Sequence, residues 1–244
     1  MRKFYLNYLM NFTNLMIKTM KNKYLFLILF LSFTICTFAQ NSVRVYNLDV
    51  KMGHNSNIAR NFEDYWDVEY KTGGMILQSV SFLEGVTHRV IASGDPSNWG
   101  TKIEKSQSEW QAHLSKQRLH LNDAEGSMVM TNLRWRREGD WEKSKASKYW
   151  EIIPKDPDKF VKAYDKFMKG ISDILDWRVT SLASIDMGGL GGTHSTSLKG
   201  ADMNDLVLIE REIQKTKAFQ DFLEERGEVE IIKSYFGYYV HRFR

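Results

Sequence analysis

Cysteine is nearly absent from this chain, and that absence excludes whole classes of chemistry. The one cysteine in 244 residues is Cys36. From residue 40 onward there is none, which rules out disulfides, thiol nucleophiles, cysteine-ligated zinc and iron–sulfur clusters in that part. Acidic residues are missing from residues 1–39, which carry five basic groups (Arg2, Lys3, Lys18, Lys21, Lys23). Also missing are a Gly-x-Ser-x-Gly elbow, a His-Glu-x-x-His pair, a phosphate loop and a dinucleotide fingerprint. Hydrolase and nucleotide-dependent readings therefore have no support.

An apolar run from Leu25 to Phe38 is present, broken by Ser32, Thr34 and Thr37. It follows Lys21 and Lys23 and ends in small residues before Gln40. This layout is a secretory signal peptide over residues 1–39 with cleavage before Gln40. The run falls short of the roughly 20 apolar residues a membrane helix needs. Residues 1–19 add Asn7, Asn11 and Asn14, which suit no signal peptide, so the expected true start is Met20. Ile35 before Cys36 argues against a lipid anchor. The expected location is periplasmic or secreted, with no stable membrane anchor.

Setting aside the five basic groups of the leader leaves 29 of the 34 Lys and Arg against 30 Asp and Glu. A near-neutral body has no electrostatic footprint for nucleic acid.

Beyond the leader the pattern reads as one unit used twice, over 43–137 and 148–243. A strand from Val43 to Met52 leads to a helix with Ile58, Phe62, Tyr65 and Trp66 on one side. Strands Met75–Leu83 and Thr87–Ser93 follow, then a helix from about Thr101 to Leu121 and a strand from Met128 to Arg136. The second half repeats the order. Tyr149–Ile153 is a strand, and Asp156, Pro157 and Asp158 start a helix with an N-cap, a proline at N1 and an acid in the first turn. Strands Trp177–Ile185 and Thr193–Lys199 surround a glycine turn; a helix over Leu206–Arg226 and a strand over Val229–Phe243 close the unit. Thr87, His88 and Gly94 recur at identical spacing as Thr193, His194 and Gly200.

Strand–helix–strand–strand–helix–strand, used twice, resembles the dimeric α/β-barrel superfamily with both halves fused in one polypeptide. The resemblance implies an α+β fold: tandem ferredoxin-like βαββαβ units whose antiparallel sheets pack face to face as a barrel, helices outside. Fusion of both halves makes a monomer the expected state. In the last strand Ile231, Tyr235, Tyr239 and Phe243 share one face by parity and Ile232, Phe236, Tyr238 and Val240 the other, so both faces are expected to be covered.

Four residues are candidates for a ligand cavity between the sheets: His88, His194, Trp135 and Tyr239. The histidines occupy matching positions, and an imidazole can ligate metal or haem or carry a proton; equally, each can be a satisfied core residue. Trp135 shares a strand face with Val129, Thr131 and Leu133. His113 and His120 are expected on a solvated helix face. The Asp186–Gly192 stretch is expected to be a hairpin turn rather than a phosphate loop, since no helix follows it. Of the seven tryptophans, Trp66, Trp110 and Trp150 have core spacing, while Trp99 and Trp141 are freer to stack on a ligand. Three functions stay open: a binder of a small hydrophobic or planar molecule; a cofactor-independent monooxygenase or haem-handling enzyme, which the resemblance implies; and an interaction protein with a filled core. No cofactor is called for outright, with haem as the candidate.

Overall fold

The computed structural model describes residues 41–123, 126–135, 139–140 and 142–243. The leader, its cleavage site and Trp141 lie outside the described residues. Element order is β1 (Ser42–Val50), α1 (Asn55–Trp66), β2 (Gly74–Ser81), β3 (His88–Gly94), α2 (Gln107–His120), β4 (Leu121–Asp123), β5 (Ser127–Trp135), β6 (Ala146–Pro154), α3 (Pro157–Gly170), α4 (Ser172–Leu175), β7 (Val179–Gly188), β8 (His194–Gly200), α5 (Met203–Gln214), α6 (Lys217–Glu225) and β9 (Val229–Phe243). Among the described residues no helix is long and apolar enough to cross a membrane.

The strands run β3-β2-β9-β6-β8-β7-β5-β1, and β1 pairs back onto β3, closing an antiparallel barrel. Within it lie two four-stranded sheets of identical order, β5-β1-β3-β2 and β9-β6-β8-β7. They meet at two seams, β2 on β9 and β5 on β7. Each is a ferredoxin-like βαββαβ half, and closure leaves no long edge exposed. The short β4 extends β1 through Asp49–Asp123 and Val50–Leu121.

Helix starts follow their capping chemistry. Asp156 accepts from the Lys159 amide at 3.0 Å with Pro157 behind it, as expected. The second helix starts later than about Thr101. Ser106 and Glu109 form a reciprocal capping box there, fixing Gln107 as the first helical residue. The stretch read as one helix over Leu206–Arg226 is two, because Thr216 caps a new start by accepting from the Phe219 amide at 3.1 Å. Gly73 is a backbone necessity: at φ +70°, a Cβ would lie 1.8 Å from the Ser93 carbonyl oxygen.

Apolar cores lie between sheet and helices. In the first half Leu48, Leu77, Val90 and Phe243 pack under Ile58 and Phe62; in the second, Ile152, Leu182 and Leu198 pack under Phe160, Phe167, Leu206 and Ile209.

The last strand corrects the parity reading. Its register shifts opposite Glu151/Ile152 and again opposite Leu77/Gln78. Each bulge inserts one residue and flips the strand's faces. Tyr235 and Tyr239 therefore point into the barrel, while Ile231 and Phe243 point outward, Phe243 into the helix-side core. Ile231, Tyr238 and Val240 are exposed, so the strand is not covered on both faces along its length.

Candidate functional site

The barrel interior is mostly filled by polar and aromatic side chains. Arg89 on β3 reaches across to the second half, where Nη1 donates to the Tyr235 hydroxyl at 2.8 Å. Its guanidinium sits 5.0 Å and 4.8 Å from the ring centroids of Tyr149 and Tyr235, which stack on each other at 5.2 Å. The Tyr149 hydroxyl donates to Gln78 Oε1 at 3.0 Å, and the Ser147 and Tyr239 hydroxyls pair at 3.0 Å. A cavity of ≈ 90 Å³ remains, well below the roughly 300 Å³ at which small-molecule sites begin. Among the described residues no cavity for a hydrophobic or planar ligand lies between the sheets, because large inward residues such as Tyr149, Tyr235 and Arg89 occupy that space.

Two clefts of small-molecule size lie between sheet and helices, one in each half. The cleft of the second half measures ≈ 320 Å³ and is walled by its apolar core residues. The first half has one of ≈ 440 Å³. It arises because α2 is poor in residues that seat on a sheet: of its 14 residues only His113 is buried. Trp66 and Tyr70 from α1 and the segment after it, Trp99 from the loop after β3, and Trp110, His113 and Gln117 from α2 line the gap.

Rings dominate this first cleft. His113 stacks on Tyr65 at 4.2 Å between centroids, with Phe62 edge-on at 5.6 Å. Trp66 and Trp110 meet edge to face at 6.1 Å, and Trp110 lies 5.7 Å from His113. The Trp66 indole N–H donates to His113 Nε2 at 3.2 Å, which puts the imidazole proton on Nδ1. Burial, then the charges of Lys105 and Lys116, push the His113 pKa down to about 4. The ring is neutral at neutral pH. Arg44 lies over the Trp99 ring at 4.2 Å, giving the cleft one cationic side.

The four expected site residues do not come together. His88 and His194 are both buried, but on the outer faces of β3 and β8, sharing sides with Val90 and Leu198 of the helix-side cores. Neither lines the barrel cavity or a helix–sheet cleft. Each bonds its preceding threonine: His88 Nδ1 lies 3.1 Å from Thr87 Oγ1, and His194 Nδ1 lies 3.0 Å from Thr193 Oγ1. Burial lowers both pKa values. Trp135 and Tyr239 do turn into the barrel. Trp135 joins Met130 and Asn132 rather than Leu133 there, because β5 bulges between Asn132 and Arg134. Burial raises the Tyr239 hydroxyl pKa, as does the neighbouring Tyr149.

His113 is the residue sequence reasoning misplaced: it is buried, not solvated. The available signal was Trp110 one turn before it, facing the Phe62–Tyr65–Trp66 cluster. His120 does lie nearer solvent, its Nδ1 2.9 Å from His54 Nδ1. The glycine turn is a hairpin connection as expected, and it is latched: Glu151 Oε1 accepts from the Leu190 and Gly192 amides at 2.6 and 3.1 Å.

Closed barrel, paired four-stranded sheets and outer helices define the dimeric α/β-barrel fold, here on a single chain. Solved structures of this fold superpose on it. A candidate monooxygenase from Lactobacillus acidophilus NCFM matches with a TM-score of 0.58 at 11% identity, covering 84% of this chain and 96% of that one. A second candidate monooxygenase, from Fusobacterium nucleatum, gives 0.53 at 10% identity over 85% and 96%. An anthrone oxidase-like protein gives 0.50 at 12% identity over 84% and 93%. At these identities the likeness is one of fold. No protein-family model matches the chain, and no curated protein matches it.

Haem would require an axial ligand. His113 is the histidine on the first cleft's wall, and its Nε2 accepts the Trp66 N–H; no histidine lines the second cleft. As built, the first cleft suits a flat organic ring held by stacking, and the His113 nitrogen with the lone pair is taken by Trp66.

Proposed function

We propose that this chain binds a small planar, largely hydrophobic molecule in the first-half cleft between α1, α2 and the sheet. The observation that carries the reading is the ≈ 440 Å³ cleft walled by Trp66, Tyr70, Trp99 and Trp110, with Arg44 at its side. Its size lies within the range of small-molecule sites, and aromatic walls with a few polar groups are what such sites use. Mass spectrometry of material extracted from protein purified from its native source identifies the occupant. Titration with 2-naphthol, read by tryptophan fluorescence, measures the site directly. Trp110→Ala should weaken 2-naphthol binding about tenfold, from lost stacking and area; unchanged affinity would reject the cleft.

The second reading is cofactor-independent oxygenation of such a ring in the same cleft. It is supported by the fold-level likeness to candidate monooxygenases. Oxygen consumption with an anthrone probe, abolished when the cleft is blocked, separates catalysis from binding. Haem handling would show instead as a Soret band in the purified protein.

The chain is further proposed to be exported after cleavage before Gln40, and to be periplasmic or secreted, without a membrane anchor or nucleic-acid partner. N-terminal sequencing of the recovered protein tests the cleavage. The halves 43–137 and 148–243 are proposed to descend from a duplicated unit, supported by the matching Thr–His bonds. With both halves in one chain the reading is a monomer, which sedimentation tests.

A further inference from the structure

The barrel interior is too small for the cleft's ligand, but its charge calls for a different occupant. Two basic side chains, Arg89 from the first half and Lys199 from the second, line the ≈ 90 Å³ cavity, and no carboxylate is among its described lining residues. The nearby Glu151 gives Oε1 to the Leu190 and Gly192 amides, while its buried Oε2 has no hydrogen-bond partner among the described residues and leaves one negative charge near Tyr235. Arg89 is 1% exposed, and its Nε has no hydrogen-bond partner among the described residues. A buried guanidinium normally has its charge compensated and its donors satisfied. The remaining wall carries hydroxyls: the Tyr149 proton goes to Gln78 and Ser181 pairs with Ser197 at 2.7 Å, while Tyr235, accepting from Arg89, and Ser195 also line the space. Hydroxyls beside basic side chains are the chemistry of an anion site.

We propose that the barrel interior binds a small anion, a short carboxylate or an inorganic oxyanion, between Arg89 and Lys199. Size supports this choice. A volume of ≈ 90 Å³ has room for a few waters or one ion of formate or nitrate dimensions, not for an aromatic acid. The cavity also abuts an open space. Ile76, Ser93 and Trp135 wall both the cavity and a ≈ 490 Å³ open depression at one end of the barrel, where Arg242, Asp140 and Glu142 also sit. Trp135 thus lies between the two spaces. Burial, with Arg242 adding repulsion, brings the Lys199 pKa down to about 7. A bound anion would reverse that shift by favouring the ammonium.

The test is thermal unfolding of the purified protein at constant ionic strength, replacing gluconate, which is too large to enter, with formate or nitrate. A saturable Tm rise of about 5 °C or more at a hundredfold excess over Kd is expected with one of the small anions. A tenfold preference for formate points to a carboxylate source, and the reverse to an inorganic one. Lys199→Met, which removes a cation without opening a void, should weaken binding at least tenfold. Arg89→Lys, the milder change at a residue that also braces Tyr235, should weaken it too. Crystals grown in bromide should show an anomalous peak in the cavity. Equal melting in gluconate and both small anions, an unchanged Kd in Lys199→Met, or bromide confined to the surface would each overturn the proposal. None of these outcomes bears on the aromatic cleft, whose 2-naphthol titration is read separately.

Discussion

Acid should loosen this protein before its carboxylates titrate, and His113 should carry most of the effect. In the unfolded chain the imidazole titrates near 6.5; in the fold, burial and the Lys105 and Lys116 charges hold it to about 4. Between those values the unfolded state binds the extra proton and the folded state does not, so stability falls as pH drops from 6.5 toward 4. The displacement sets a ceiling of about 3 kcal/mol. About 2 kcal/mol is expected once solvent screening at the cleft wall is allowed for. His88 and His194, also lowered by burial, add losses of the same sign. Asp205, whose pKa is lowered, keeps its contribution until the pH falls through that lowered value. The assay is urea unfolding at several pH values from 7 to 4.5, in the natural chain and in His113→Gln. Glutamine keeps an acceptor for the Trp66 indole but does not titrate. The variant should show a flatter pH dependence, by about 2 kcal/mol across the window. Identical slopes, or a natural chain that gains stability on acidification, would refute both the burial of His113 and its neutral state.

Two further outcomes follow from bonds elsewhere. Asp205→Asn should destabilise by about 1–3 kcal/mol in urea unfolding, because the partly buried carboxylate pairs with Arg178 and accepts the Ala201 amide. Glu151→Ala should leave the barrel folded but speed hydrogen exchange at the Leu190 and Gly192 amides at least tenfold, since their shared acceptor is gone; unchanged protection would mean the turn holds itself closed.

The element order was legible from local signals. Asp156-Pro157 gave the helix start where Asp156 caps the Lys159 amide, and β9 occupies Val229–Phe243 as read. What failed was alternation carried too far along a strand. Counting by twos from Tyr235 places Ile231 and Phe243 on its face, and counting back from Trp135 places Leu133 with it. Bulges opposite Leu77/Gln78 and Glu151/Ile152, and between Asn132 and Arg134, reverse each assignment. Such a bulge has no fixed sequence signature in these strands. Yet it decides which side chains fill a closed barrel, whose curvature such irregularities help to supply. The site therefore moved further than the fold did. The matched histidines were conspicuous by repetition, but parity could not tell the helix side from the barrel side. His113 lies one turn after Trp110 in a mostly polar helix, and that single aromatic neighbour was too thin a signal to mark a buried face.

The two halves, though alike in strand order, wall their clefts differently: ≈ 440 Å³ lined by rings in the first, ≈ 320 Å³ lined by the apolar core in the second. In the second half α5 seats Leu206, Ile209 and Ile213 on the sheet. α6 adds Phe222, which stacks on Phe167 at 4.7 Å, and Phe219, tilted against the same ring at 5.9 Å. Side chains thus narrow the space between helices and strands to ≈ 320 Å³. The matching helix of the first half, α2, carries Glu109, Gln111, Lys116, Gln117 and Arg118 among its residues. It meets α1 through rings, not aliphatic side chains. Rigid rings at their mutual edges brace a helix at a distance from the sheet, where interdigitating leucines would draw it down. Holding that gap open leaves apolar surface facing solvent, a standing disadvantage unless something occupies it. That disadvantage is larger for the roomier first cleft, so the ring-lined cleft, not the repeated histidines, is where the proposed ligand is to be sought.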